Sequence, residues 1–156
     1  SLQIVVGSGQ DMREYKIFLI REPLSIEFYG KEHKIYQLVY EYYYSTIELR
    51  KIIEKQLEYI TEPIPLFELH TFIRKFDSQQ IYFYEETGEY LLELVDGAKA
   101  QLKLYPHELI LYAEGSLEAE TIFFELLRKF RSTFIAIDVK DQRFGWLRPI
   151  AYQKYI

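Results

Sequence analysis

The hydrophobic period of this chain changes near Ser78, and that change does most to restrict the fold. Before it, Ile35, Leu38, Val39, Tyr42, Thr46, Leu49, Ile53, Leu57 and Ile60 recur at three- and four-residue steps, which places them on one face of a helix. One long amphipathic helix is expected there. Pro63 and Pro65 end it, and Leu66, Leu69, Phe72, Ile73 and Phe76 restart the period as a shorter helix. After Ser78 the runs IYFYE, EYLLELV, AQLKLY and ELILYA are separated by Thr87-Gly88, Asp96-Gly97 and Pro106-His107, which reads as an antiparallel meander. EYLLELV also suits a short helix.

Five further segments complete the outline. REYKIFLIR, Arg13 to Arg21, carries apolar residues on both alternating sets and reads as a strand buried on both faces. The following EPLSIEFYGKE, punctuated by Pro23 and Gly30, has room for one helical turn with Leu24 and Phe28 on a shared face. Ser116 is the expected N-cap of a helix whose apolar face is Ala119, Ile122, Phe123, Leu126 and Leu127, and TFIAIDV, Thr133 to Val139, is a final buried strand. The tail from Lys140 is expected to be irregular and to cover a sheet edge. The expected fold is α/β of the α+β type: one domain, a mixed or antiparallel sheet, and about three helices, one long.

Composition narrows the function. With 24 acidic residues against 19 Lys and Arg, the net charge of −5 repels a phosphate backbone, so direct nucleic-acid binding is not expected. Arg128, Lys129 and Arg131 fall at a helix C-terminus, where they complement its dipole. There is no cysteine, which excludes thiol catalysis and cysteine-ligated zinc and suits a reducing cytoplasm. No apolar run approaches the ~20 residues that span a bilayer. His33, His70 and His107 have no metal-ligand spacing, and the pairs Glu85-Glu86 and Glu118/Glu120 read as solvated loop and helix N-terminus. GxSxG and GxxxxGK[ST] are absent, and Val5-Val6-Gly7-Ser8-Gly9 lacks the third glycine and the helix of a dinucleotide site. The chain is therefore expected to be non-enzymatic, to need no cofactor and to take no small-molecule substrate. A small enzyme or a single-strand binder stacking bases on Tyr42-Tyr43-Tyr44 remains as an alternative without a motif.

Aromatic and apolar residues stand where a core does not require them: Leu24, Phe28 and Tyr29 in the short turn, and Phe144-Gly145-Trp146-Leu147-Arg148-Pro149 in the tail. Such clusters anchor protein interfaces. The segments YITEPIP (59–65), EAETIFFE (118–125) and QRFGWLRP (142–149), in this order and spacing, resemble the SirA family, the sporulation inhibitors of replication of endospore-forming bacteria. The resemblance runs from Met12, the only methionine, to the C-terminus. Residues 12–156 are therefore expected to form a single SirA-like domain, and residues 1–11 to be an expression remnant or a disordered N-terminus. The resemblance implies a cytoplasmic protein that binds domain I of the initiator DnaA and so stops new rounds of replication. It implies contact through Leu24 and Phe28, with Tyr29 and Pro149 at the margin. Leu24 departs from the aromatic residue expected at its position but keeps an apolar contact.

Overall fold

A computed structural model describes residues 12–76 and 80–148. Among the described residues, seven strands form one antiparallel sheet in the order β2-β3-β4-β5-β1-β6-β7, where β1 is Arg13–Leu19, β2 Ile81–Tyr84, β3 Glu89–Glu93, β4 Lys99–Leu104, β5 Leu109–Glu114, β6 Phe134–Asp138 and β7 Arg143–Trp146. The same residues hold five helices: α1 Glu22–Glu27, α2 Glu32–Tyr44, α3 Ile47–Ile60, α4 Leu66–Phe76 and α5 Glu118–Phe130. The α+β class and the antiparallel sheet are those expected.

Strand β1 lies inside the sheet, paired with β5 and β6, and its two sets of side chains enter two cores. Tyr15, Ile17 and Leu19 pack with Leu69 and Ile73 of α4 and Phe123, Leu126 and Leu127 of α5. Phe18 and Ile20 pack with Ile35 and Val39 of α2, Ile60 of α3, and Ile135 and Ile137 of β6. The sheet is thus sandwiched between α4–α5 on one face and α1–α3 on the other, which explains why β1 and β6 are apolar at successive positions.

The expected single long helix is two. Ser45 and Thr46 take extended conformations (ψ 171° and 164°), which ends α2 and opens α3. Thr46 Oγ1 accepts the Leu49 amide at 3.3 Å, and Arg50 Nε donates to the Tyr42 carbonyl at 3.1 Å, so side chains satisfy both new helix ends. Ser and Thr offer the backbone hydrogen bonds that compete with a helix, and the break folds α3 back against α2. EYLLE is strand β3 of the expected meander. Two smaller differences follow the same logic of local competition. The tail forms β7 by pairing with β6. Ser116 is not the cap of α5: its hydroxyl donates to Asp96 at 2.9 Å, and Leu117 holds the cap position without a side-chain bond.

The start of β1 is locked to α5. Arg13 Nε and Nη2 donate to the Glu120 carboxylate at 2.7–3.0 Å, and the Tyr15 hydroxyl donates to the same carboxylate. Glu120 is 2% exposed, which corrects its reading as a solvated helix-terminal acid; Glu118 is exposed as expected.

Candidate protein-docking surface

Helix α1 begins with Pro23 at a position where its missing N–H costs nothing, and Ser25 Oγ donates to the Glu22 carbonyl at 2.7 Å. The turn that follows it ends at Gly30, whose φ of +77° leads the chain into α2. Backbone bonds fix α1 beside the end of α3: the Arg21 amide donates to the Ile60 carbonyl at 2.9 Å, and the Glu62 amide to the Leu19 carbonyl at 2.8 Å. Arg21 Nε adds a bond to the Tyr59 carbonyl at 2.9 Å. The sequence ITEP (60–63) after α3 therefore serves to clamp α1 and α3 together.

The predicted site residues fall on and around this clamp. Leu24 and Phe28 share a face, as their spacing requires, and both are half-buried against the core formed by Phe18, Ile20, Ile35 and Ile60. They are thus part anchor and part core. Tyr29 is half-buried with its ring edge-on to Trp146, centroids 5.7 Å apart, so the structure brings the turn and the tail together. Pro149 lies outside the described residues. The indole N–H of Trp146 is buried with no acceptor among the described residues.

Sequence reasoning missed the other half of this surface. Between α1, α2 and α3 lies a depression of about 500 Å³ that includes Phe28 and Leu38, with Ile52 and Tyr59 of α3 at its open side and Lys34 and Lys55 beside them. Ile26 is 67%, Ile52 57% and Tyr59 69% exposed. The signal was available: Ile52 and Tyr59 lie off the stripe of Ile53, Leu57 and Ile60, and an apolar residue off the core stripe of an amphipathic helix has no core to explain it.

Other candidates are dispersed. His70 Nδ1 is hydrogen-bonded to the buried Tyr90 hydroxyl and stacks edge-on with Phe83. His33 and His107 lie elsewhere, and among the described residues no cluster of three His, Asp or Glu is placed to hold a metal. Glu85 and Glu86 are exposed in the β2–β3 turn. Arg128 and Arg131 pair with Glu125 and Glu68, and Lys129 lies over Phe76, so the basic turn is engaged within the protein. Tyr42, half-buried, packs edge-on against Tyr43 with centroids 5.1 Å apart, while Tyr44 is exposed and packs on Tyr40 at 4.7 Å. Among the described residues no helix is long and apolar enough to cross a membrane.

Residues 13–151 match the family model described as sporulation inhibitor of replication protein SirA. The Bacillus subtilis (strain 168) protein of that name is 33% identical over 151 residues, covering 92% of this chain and 99% of the relative. On both grounds, the chain belongs to the SirA family.

Proposed function

We propose that this protein inhibits the initiation of chromosome replication during sporulation, and that it does so by binding domain I of DnaA through α1 and the adjoining face of α3. The relative's name supports the physiological role. The contact is carried by one observation: the start of α1 is tied by backbone bonds to the end of α3, and Ile52 and Tyr59 stay uncovered beside the half-buried Phe28 in one depression, with Ile26 exposed on α1. Phe28 meets a partner side chain in the depression and Leu24 beside it, Tyr29 contacts the partner at the margin, the family resemblance adds Pro149 as a further contact, and Lys34 and Lys55 favour an acidic rim on the partner. The mechanism is occupancy: a protein seated on DnaA domain I denies that domain to other partners, with no catalytic step and no contact with DNA.

Calorimetric titration of the chain with isolated DnaA domain I tests this. Saturable binding near one to one is expected. Phe28→Ala should weaken it by about 2 kcal/mol, roughly thirtyfold. Because Phe28 also packs on the core, Ile26→Ala and Tyr59→Ala serve as variants that leave the fold intact. Full affinity in all three would overturn the assignment of this surface.

A further inference from the structure

The strand order leaves β2 at one end of the sheet, with β3 on its inner side and no described residue paired to its outer side. Sheet edges are commonly kept from pairing by lysine, proline, a bulge or extreme shortness. Of these β2 has only the last: Ile81-Tyr82-Phe83-Tyr84 carries no charge, and its register with β3 runs unbroken from Ile81↔Leu92 to Tyr84↔Glu89. The direction of its backbone groups is fixed as well. The Tyr84 carbonyl accepts the Gly88 amide at 2.8 Å, so it points towards the β3 side. By the alternation of antiparallel strands, the N–H and C=O groups of Ile81 and Phe83 then point outwards.

Helix α4 supplies what a four-residue edge lacks. Leu69 and Ile73 face the core, and Phe72 packs on Phe130 of α5 at 5.3 Å, which marks one flank of the helix. The other flank overhangs β2: the His70 ring meets Phe83 at 4.7 Å, and the Arg74 guanidinium lies 5.7 Å from the centre of the Phe83 ring. Phe67 belongs to this second flank, one turn before His70 and two before Arg74, and it is 82% exposed. Tyr82, on the opposite face of the strand, is 58% exposed. The charges at this edge are also unspent. Among the described residues, Arg74 and Lys75 at the end of α4 make no ion pair, and neither do the exposed Glu85 and Glu86 that follow β2. One edge thus carries both halves of a charge pair, which is what a self-complementary contact needs.

We propose that the β2 edge, with the overhanging flank of α4, binds a second copy of this chain, the two β2 strands pairing antiparallel about a twofold axis at Phe83. The register follows from the backbone: the outward-facing Phe83 meets its own counterpart, and each N–H donates to the other's C=O. Ile81 then lies opposite Glu85 of the second copy, and because opposed residues share a face, that carboxylate comes to the α4 side, towards Arg74. The twofold repeats each of these contacts, and the approach of the two α4 helices covers Phe67. Helices α1–α3 pack on β1 and β6, towards the other end of the strand order, so the docking face of each copy stays free. Self-association stands or falls separately from docking through α1.

Sedimentation velocity of the full chain, from about 5 μM to about 1 mM, tests this. An interface built on so short a strand predicts a monomer–dimer equilibrium with a Kd of roughly 10–100 μM. Arg74→Glu sets like charges against each other at two symmetry-related places, and Phe67→Ser removes the apolar cover. Each should weaken the dimer at least about fivefold. Both positions are exposed, so circular dichroism and Tm should match the parent. The exchange Arg74→Glu/Glu85→Arg restores both charge pairs in reverse and should return the Kd to within about twofold of the parent, which non-specific association would not do. A monomer throughout the range, a dimer that either single variant leaves unchanged, or a double variant as weak as Arg74→Glu would overturn the proposal.

Discussion

Replacing Arg13 with methionine should be among the most damaging changes open to this protein outside its apolar core. The guanidinium donates three bonds of 2.7–3.0 Å to Glu120, whose side chain is 2% exposed, while Arg13 itself is 11% exposed. Methionine keeps most of the stem packing but leaves the carboxylate buried with the Tyr15 hydroxyl and no counter-charge. Stranding one member of a buried pair costs about 3–5 kcal/mol, and the slight exposure of Arg13 puts this case near 3. For a domain of this size that lowers Tm by about 6–12 °C. Urea unfolding followed by far-ultraviolet circular dichroism measures it. The double variant Arg13→Met/Glu120→Leu removes the stranded charge and should recover about 2 kcal/mol, the remaining loss being the Tyr15 hydroxyl without its acceptor. A single variant within about 1 kcal/mol of the parent, or a double variant no better than the single, would refute the claim that desolvation of Glu120 sets the cost.

Three other outcomes follow from local geometry. Gly115 has φ +86°, and a Cβ there would lie 2.8 Å from the Ala98 Cα, so Gly115→Ala should cost about 3 kcal/mol in the same unfolding assay; an unchanged midpoint would show that the β3–β4 turn yields freely. Thr46→Ala removes the N-cap of α3 and should cost about 1 kcal/mol, with helix content unchanged away from the α2–α3 break. Glu108 has a folded pKa raised above its unfolded value, so its burial is least costly below the unfolded pKa and becomes costlier as pH rises through the folded one. Glu108→Gln should therefore raise Tm at neutral pH and leave it unchanged near pH 4, and a benefit that is equal at both would contradict the desolvation cause.

The elements legible in sequence were those whose pattern is set by burial alone. β1, β6 and α5 declare themselves because each faces a core along its whole length. The α2–α3 break was hidden because the apolar steps stay in phase across Ser45 and Thr46, so periodicity continues where the backbone does not. The role of Glu120 was hidden for a related reason: an acid in the first turn of a helix ordinarily meets solvent and the helix dipole, and nothing local announces that Arg13, 107 residues away, folds over it. At the candidate surface, Leu24, Phe28 and Tyr29 stood out as apolar residues in a short turn and through family resemblance, whereas Ile52 and Tyr59 needed the packing of α3 against α2 to join Phe28 in one depression.

The central claim is that the α1–α3 face receives DnaA domain I. Hydrogen exchange of the chain, measured with and without saturating DnaA domain I, tests it most directly. The account predicts slowed exchange in residues 22–30 and 47–60 with the β2–β3 edge unaffected. Protection confined to that edge, or no protection with both proteins folded, would contradict it.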